Sequence, residues 1–171
     1  MPTPTYTLID SVTIGSSASS VTFSSIDQNF GDLVLVGQIG SSGGLTRFKM
    51  RLNSDSGTNY SKVLMQSTDS GTISATSSTG DNRFDINGGT YTETALTSLF
   101  TAQLMDYSAT DKHKTVLIRY NSVTGTFAEG VVSFAGRYAS TSAVTAIQVF
   151  NTDYDFLVGS TLFLYGIAKA L

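Results

Sequence analysis

The sequence predicts an all-β protein built from antiparallel strands, and its composition is the first reason. It contains 24 Ser and 24 Thr among 171 residues, with only two Glu. Ser and Thr compete with the helical backbone for hydrogen bonds, and Thr is stiff at χ1, so helix is disfavoured. Short apolar segments separated by Ser and Gly turns then favour a two-sheet antiparallel sandwich or a barrel, in a single domain.

Period-two alternation is the second reason, and it places the strands. It is clearest at 47–52, where basic and apolar residues alternate, so one side should be wet and the other buried. The basic positions are Arg47, Lys49 and Arg51, and the apolar ones are Phe48, Met50 and Leu52. We predict strands near 6–14, 19–24, 32–39, 46–53, 60–66, 82–86, 97–106, 113–121, 130–139, 144–151 and 160–168.

Two of these segments, 33–36 and 162–165, are apolar on both sides. Such strands need cover on both faces. We expect it to come either from a second sheet plus a loop or from another subunit.

Two stretches do not read as regular strands. Residues 67–96 are rich in turn-forming residues, so we expect a long loop excursion with one short strand and a helical turn near 92–96. Residues 1–5 contain Pro2 and Pro4, which favour extended backbone. Pro2, Thr3 and Pro4 are therefore candidates for an N-terminal arm that lies on a partner; the alternative is a frayed terminus.

The composition excludes several classes of function. A net charge of -3 argues against nucleic-acid binding, which needs excess Lys and Arg. No run approaches the 18 apolar residues of a membrane-spanning helix, and there is no Cys to act as nucleophile or zinc ligand. His113 is the single histidine and lies between two lysines, so it does not suit a catalytic triad or a metal site.

Glycoside hydrolysis needs only two carboxylates, so it is a separate case. Asp153 and Asp155 have a suitable spacing, but they lie in a turn, and the strand signature of jelly-roll glucanases is absent. We therefore predict no enzyme, no catalytic residues, no cofactor and no metal. The segment 53–59 has the oxygen side chains of a calcium loop without its final Glu; a hairpin turn with Gly57 at positive φ is the simpler interpretation.

The remaining candidates are contact residues. Arg47, Lys49 and Arg51 form a basic stripe that would suit an acidic partner or a phosphate, or would simply be a solvated side of a strand. Tyr91 and Tyr154 fall in turns, where Tyr offers contact area at low entropic cost.

Four segments, in this order along the chain, resemble a group of tailed-bacteriophage virion proteins common among marine and cyanobacterial phages. They are 32–36, 52–61, 106–108 with 112–114, and 159–167. The resemblance implies a jelly-roll-like sandwich that acts as a capsid decoration (cement) protein. It would bind the major capsid protein on the capsid exterior as a homotrimer, after synthesis in the host cytoplasm, with no catalytic residues. The alternative is a carbohydrate- or receptor-binding module of a tail or fibre.

Overall fold

The computed structural model describes residues 4–44, 46–67, 72–88, 97–121 and 131–169. Within these ranges the chain forms twelve strands and no helix, so no described helix could cross a membrane. The strands are β1 (Tyr6–Thr13), β2 (Ser20–Phe23), β3 (Asp32–Gly40), β4 (Lys49–Leu52), β5 (Tyr60–Ser67), β6 (Ile73–Asp81), β7 (Phe84–Asp85), β8 (Thr97–Met105), β9 (Lys114–Asn121), β10 (Val131–Tyr138), β11 (Ile147–Phe150) and β12 (Thr161–Ile167). Each of the eleven predicted segments overlaps one of them, and the segments 32–39 and 60–66 each end one residue before the observed strand does.

The strands form two antiparallel sheets that pack as a jelly-roll-like sandwich, which confirms the predicted fold class. The larger sheet has eight strands in the order β1-β12-β3-β8-β9-β10-β5-β6. The smaller sheet has four, in the order β2-β11-β4-β7. Sequence neighbours are often not spatial neighbours, so the chain crosses repeatedly from one sheet to the other.

The core lies between the inward sides of the two sheets. Phe48 stacks on Phe156 with ring centroids 5.0 Å apart, and Tyr60 meets Phe84 edge to face at 4.9 Å. Glycines in the larger sheet make room for aromatic rings: a Cβ added at Gly136 would lie 2.6 Å from the Phe84 ring. Both sheets therefore contribute aromatic residues to one packed layer, and aromatic pairs of this geometry add to the free energy gained from burial.

The region 67–96 differs from the prediction of a loop excursion. It contains the nine-residue strand β6, at the edge of the larger sheet beside β5. No side chain of β6 is buried and most are exposed, so the strand lacks the apolar alternation that reveals a half-buried strand. The predicted helical turn near 92–96 lies outside the described residues.

The turn at 53–59 is not the predicted hairpin, because β4 and β5 belong to different sheets. Positive φ angles occur at Asn53 (53°) and Ser54 (56°) instead of Gly57. The Asn53 side chain fixes this corner: its Oδ1 accepts a hydrogen bond from the Thr145 amide at 2.8 Å, and its Nδ2 donates to the Ala143 carbonyl at 2.8 Å. The segment is a crossover between the sheets.

Candidate functional site

The predicted contact residues do not form one surface. Pro4 is exposed, whereas Pro2, Thr3 and Tyr91 lie outside the described residues. Arg47, Lys49 and Arg51 point away from the core, since the intervening Phe48, Met50 and Leu52 are buried. The basic residues are therefore on the outer side of the smaller sheet, and Tyr154 lies in the turn that follows β11.

Lys49 is not the solvated side chain that the alternation predicts. It is only 6% exposed, its Nζ donates to the Thr152 hydroxyl, and it lies 3.9 Å from Asp153 Oδ2. Burial lowers the pKa of Lys49, and the Asp153 carboxylate opposes that shift. The prediction of a wet side fails at this position because the turn after β11 folds over the strand.

Arg51 is also engaged within the chain. Its guanidinium carbon lies 4.7 Å from the centre of the Phe150 ring, and its Nε donates to the Asn82 carbonyl at 3.2 Å. Such a cation–π contact attracts the guanidinium to the face of the ring. Much of the basic stripe is thus occupied by intramolecular partners.

Tyr154 borders a shallow polar groove, which we call the Tyr154 groove. Its walls are formed by Ser19, Ser42 and residues 151–155. The ring is 42% exposed and packs against Gly43, where an added Cβ would lie 2.1 Å from the ring. Hydroxyl and carboxylate oxygens beside an exposed ring can hydrogen-bond a polar ligand such as a sugar.

The turn of the Tyr154 groove is held by internal hydrogen bonds. Asn151 Oδ1 accepts from the Thr46 hydroxyl at 2.7 Å and from the Asp153 amide at 3.0 Å. Asp155 accepts from the Ser17 hydroxyl. In the described parts of the chain, no three His, Cys, Asp or Glu side chains come together as metal ligands would.

The second surface was not predicted, and it is the outward side of the eight-stranded sheet. We call it the outer face. The strand register places its side chains in four rows of eight. From β1 to β6, the rows are Thr13, Thr161, Gln38, Leu99, Asn121, Val131, Ser67 and Ile73; Ser11, Phe163, Val36, Thr101, Arg119, Ser133, Met65 and Ala75; Leu8, Tyr165, Val34, Gln103, Leu117, Ala135, Val63 and Ser77; and Tyr6, Ile167, Asp32, Met105, Thr115, Arg137, Ser61 and Thr79.

The outer face is unusually poor in charge. Of the 32 positions in these rows, 14 carry a large apolar side chain and three are charged, namely Asp32, Arg119 and Arg137. Ile73 is 78% exposed, Val63 60% and Met65 58%. An antiparallel sheet that faces water normally carries polar residues there. Thirteen of the other positions carry Ser, Thr, Asn or Gln and two carry Ala, so the outer face mixes large apolar with uncharged polar side chains.

One pattern in the sequence pointed to the outer face. It is the pair of segments that are apolar on both sides, 33–36 and 162–165. They lie in the paired strands β3 and β12. Leu33, Leu35, Leu162 and Leu164 point into the core and are at most 1% exposed. Val34, Val36, Phe163 and Tyr165 are half-buried on the outer face. The expected cover on one side is therefore the second sheet, and the other side has no cover from the described residues.

No family model and no curated protein matches the chain. Among solved structures, it is similar to galectin LEC-6 of Caenorhabditis elegans at 10% identity, with 93% of this chain and 96% of that chain covered and a TM-score of 0.35. It is also similar to alginate lyase Aly36B at 13% identity, with 93% and 79% covered and a TM-score of 0.35. These likenesses are too weak to bear on ligand or activity.

Proposed function

We propose that this protein is a non-enzymatic structural protein of a tailed-phage virion, most specifically a capsid decoration protein that binds the outer capsid surface and stabilises the head. The resemblance in sequence supplies the phage context. The outer face is the observation that carries the assembly role, because a side of the sheet with 14 large apolar and three charged positions favours contact with protein over contact with water.

The stabilising mechanism is mass action. A protein that binds the assembled shell, and not its free subunits, lowers the free energy of the shell by RT ln(1 + [L]/Kd) per site. At a concentration of about 1,000 Kd this amounts to about 4 kcal/mol per site. No reactive group is required, and the low charge of the outer face keeps the desolvation cost of each contact small.

The test is a reconstitution on virions. Head decoration predicts a copy number comparable to that of the major capsid protein, and virions without this chain should release their DNA at a lower temperature. Adding the purified chain should restore the release temperature. A copy number of only a few per virion, or no recovery on addition, contradicts the proposal.

The Tyr154 groove favours a second candidate, a carbohydrate-binding module of a tail or fibre. Aromatic rings beside polar side chains suit a sugar, whose faces are apolar and whose rim is hydroxyl-rich. Titration with a glycan panel tests it: Tyr154→Ala should abolish saturable binding, whereas Tyr6→Ala should not. Tyr6 is the matched control because it is an exposed tyrosine, at 57%, on the outer face. Absence of saturable binding by the unaltered chain removes this candidate.

A further inference from the structure

We propose that the outer face is the contact between two copies of this chain. The two larger sheets would stack face to face about a two-fold axis that lies between them and runs along the strands, between β8 and β9. The proposal rests on the proposed function only in treating the outer face as a protein contact. It does not require a virion, and a dimer formed in this way would have to contact the capsid through a surface other than the outer face.

The size of the outer face matches what a stable pair needs. Eight strands about 4.8 Å apart, with four outward residues each along about 20 Å of strand, give a face of roughly 800 Å². A standard protein–protein interface buries about 800 Å² on each partner. The area that a second copy offers is therefore similar to the area of the outer face.

The axis along the strands brings opposite charges together. It exchanges strands across the middle of the sheet and leaves each row in place, so β3 faces β10 of the partner subunit. Asp32 and Arg137 occupy the same row of these two strands. Asp32 then faces the partner's Arg137, and the reverse pair forms by symmetry. Within one chain, Arg137 makes no ion pair with any described residue.

The same axis matches apolar side chains. β12 faces β5 of the partner subunit, which sets Tyr165 against the partner's Val63 and Phe163 against the partner's Met65. Val34 faces the partner's Ala135. Stacked sheets usually cross at about 30°, which an axis inclined by about 15° to the strands provides.

A second way to align the two larger sheets is energetically less favourable. A two-fold axis across the strands keeps each strand opposite its own copy and reverses the rows. Arg119 would then face the partner's Leu117, and Arg137 would face the partner's Val131. Arg119 faces no carboxylate in either arrangement, whereas Arg137 faces one only with the axis along the strands, and an unpaired buried charge is strongly unfavourable. The charges therefore select the axis along the strands.

Sedimentation equilibrium of the full chain tests the proposal, with a dimer of twice 18.1 kDa expected. Arg137→Glu and Asp32→Arg should each weaken the dimer at least about tenfold, because each places like charges opposite one another. An equimolar mixture of the two variants should recover the affinity, since both pairs in the mixed dimer are attractive. Arg119→Glu is the matched control: the position faces the partner's Thr101, so one charge without a facing partner replaces another, and we expect a change of about threefold or less.

Asp32 also accepts a hydrogen bond from the Asp106 amide at 3.0 Å, so Asp32→Arg can fail to fold. A double-mutant cycle with Asp32→Asn and Arg137→Gln avoids this problem, because the asparagine amide oxygen can still accept that bond. The dimer of the double variant should be no weaker than the weaker of the two single-variant dimers, because the second substitution removes no further pair. Additive effects contradict the pairing.

The outcomes separate this inference from the proposed function. A monomer that still binds and stabilises virions overturns the dimer and leaves the decoration role intact. A trimer overturns the two-fold geometry and agrees instead with the oligomer that the sequence resemblance implies. A dimer that responds to Arg137→Glu but does not bind virions supports the inference and removes the decoration role. A dimer that is insensitive to both Arg137→Glu and Leu117→Arg shows that its contact lies elsewhere, and overturns the inference.

Discussion

At the scale of the residue, Asp55 holds the crossover between the two sheets. Its carboxylate accepts hydrogen bonds from the Gly57 amide at 2.7 Å, the Asn59 side chain at 2.8 Å and the Tyr138 hydroxyl at 2.9 Å. These donors favour the charged form, so the pKa of Asp55 is lowered, with Asn59 as the main cause. The carboxylate that an ion-binding loop would need at 53–59 is thus already engaged within the chain.

Asp55→Ala should lower the free energy of unfolding by about 2 kcal/mol at pH 7, since it removes hydrogen bonds to a charged group that is partly exposed. The sign of the pH dependence follows from the lowered pKa. The contribution of Asp55 is complete above the ordinary value of 3.8 and is lost as the pH falls through the lower folded value. Urea unfolding at pH 7, 5, 3 and 2 should therefore show the two proteins converging in acid.

The exposed Asp111, in the turn before β9, supplies the control for that series. Asp111→Ala should change the free energy of unfolding by no more than about 0.5 kcal/mol. If the deficit of Asp55→Ala were the same at every pH, the carboxylate charge would not be the source of its contribution.

At the scale of the element, most strands that sequence reasoning located have one side in the core, and β1 has only the partly buried Ile9 and Val12 against it. In β9, Val116, Ile118 and Tyr120 are at most 2% exposed and alternate with exposed residues, so the period-two pattern is complete. β6 has no such pattern, because it lies at the edge and both of its sides are largely exposed. Apolar alternation arises where one side of a strand is buried, so a strand that buries little does not show this pattern in its sequence.

The candidate surfaces depend on contacts between distant segments, and alternation alone could not supply these. It placed Arg51 on the outward side of its strand correctly, but the ring of Phe150 that covers it is 99 positions away in the chain. It also marked Val34 and Phe163 as needing cover. Only the strand order of the larger sheet shows that both belong to one continuous outer face.

The marginal burial of β6 predicts a difference in local stability. β6 has a single neighbouring strand, β5, whereas β9 lies between β8 and β10. Detaching β6 therefore exposes little apolar surface, and we expect its amides to exchange with deuterium at least about 100-fold faster than those of β9. Native-state hydrogen exchange of the full chain measures the ratio. Protection of β6 equal to that of β9 would mean that the free edge of β6 is paired in solution.

At the scale of the whole molecule, the two outward sides of the sandwich have opposite character. Charges at the smaller sheet are paired within the chain: Lys49 lies 3.9 Å from Asp153, and Asp85 lies 3.2 Å from Arg83. The outer face of the larger sheet has only three charged positions in 32, two of them arginines. The two outward sides therefore differ in charge, and the outer face is the side with few charges.

Association through the outer face should respond to salts as an apolar contact does. Sulfate is excluded from protein surfaces and strengthens apolar burial, so 0.5 M sodium sulfate should tighten the dimer. Sodium chloride at 1 M shortens the Debye length to about 3 Å and weakens mainly the two pairs formed by Asp32 and Arg137. We expect that loss to be about threefold or less for the unaltered chain, and absent in Arg137→Gln, when both are compared by sedimentation equilibrium. A tenfold or greater loss in sodium chloride, or no gain in sulfate, would indicate that charges and not the apolar rows drive association, and would contradict this account of the outer face.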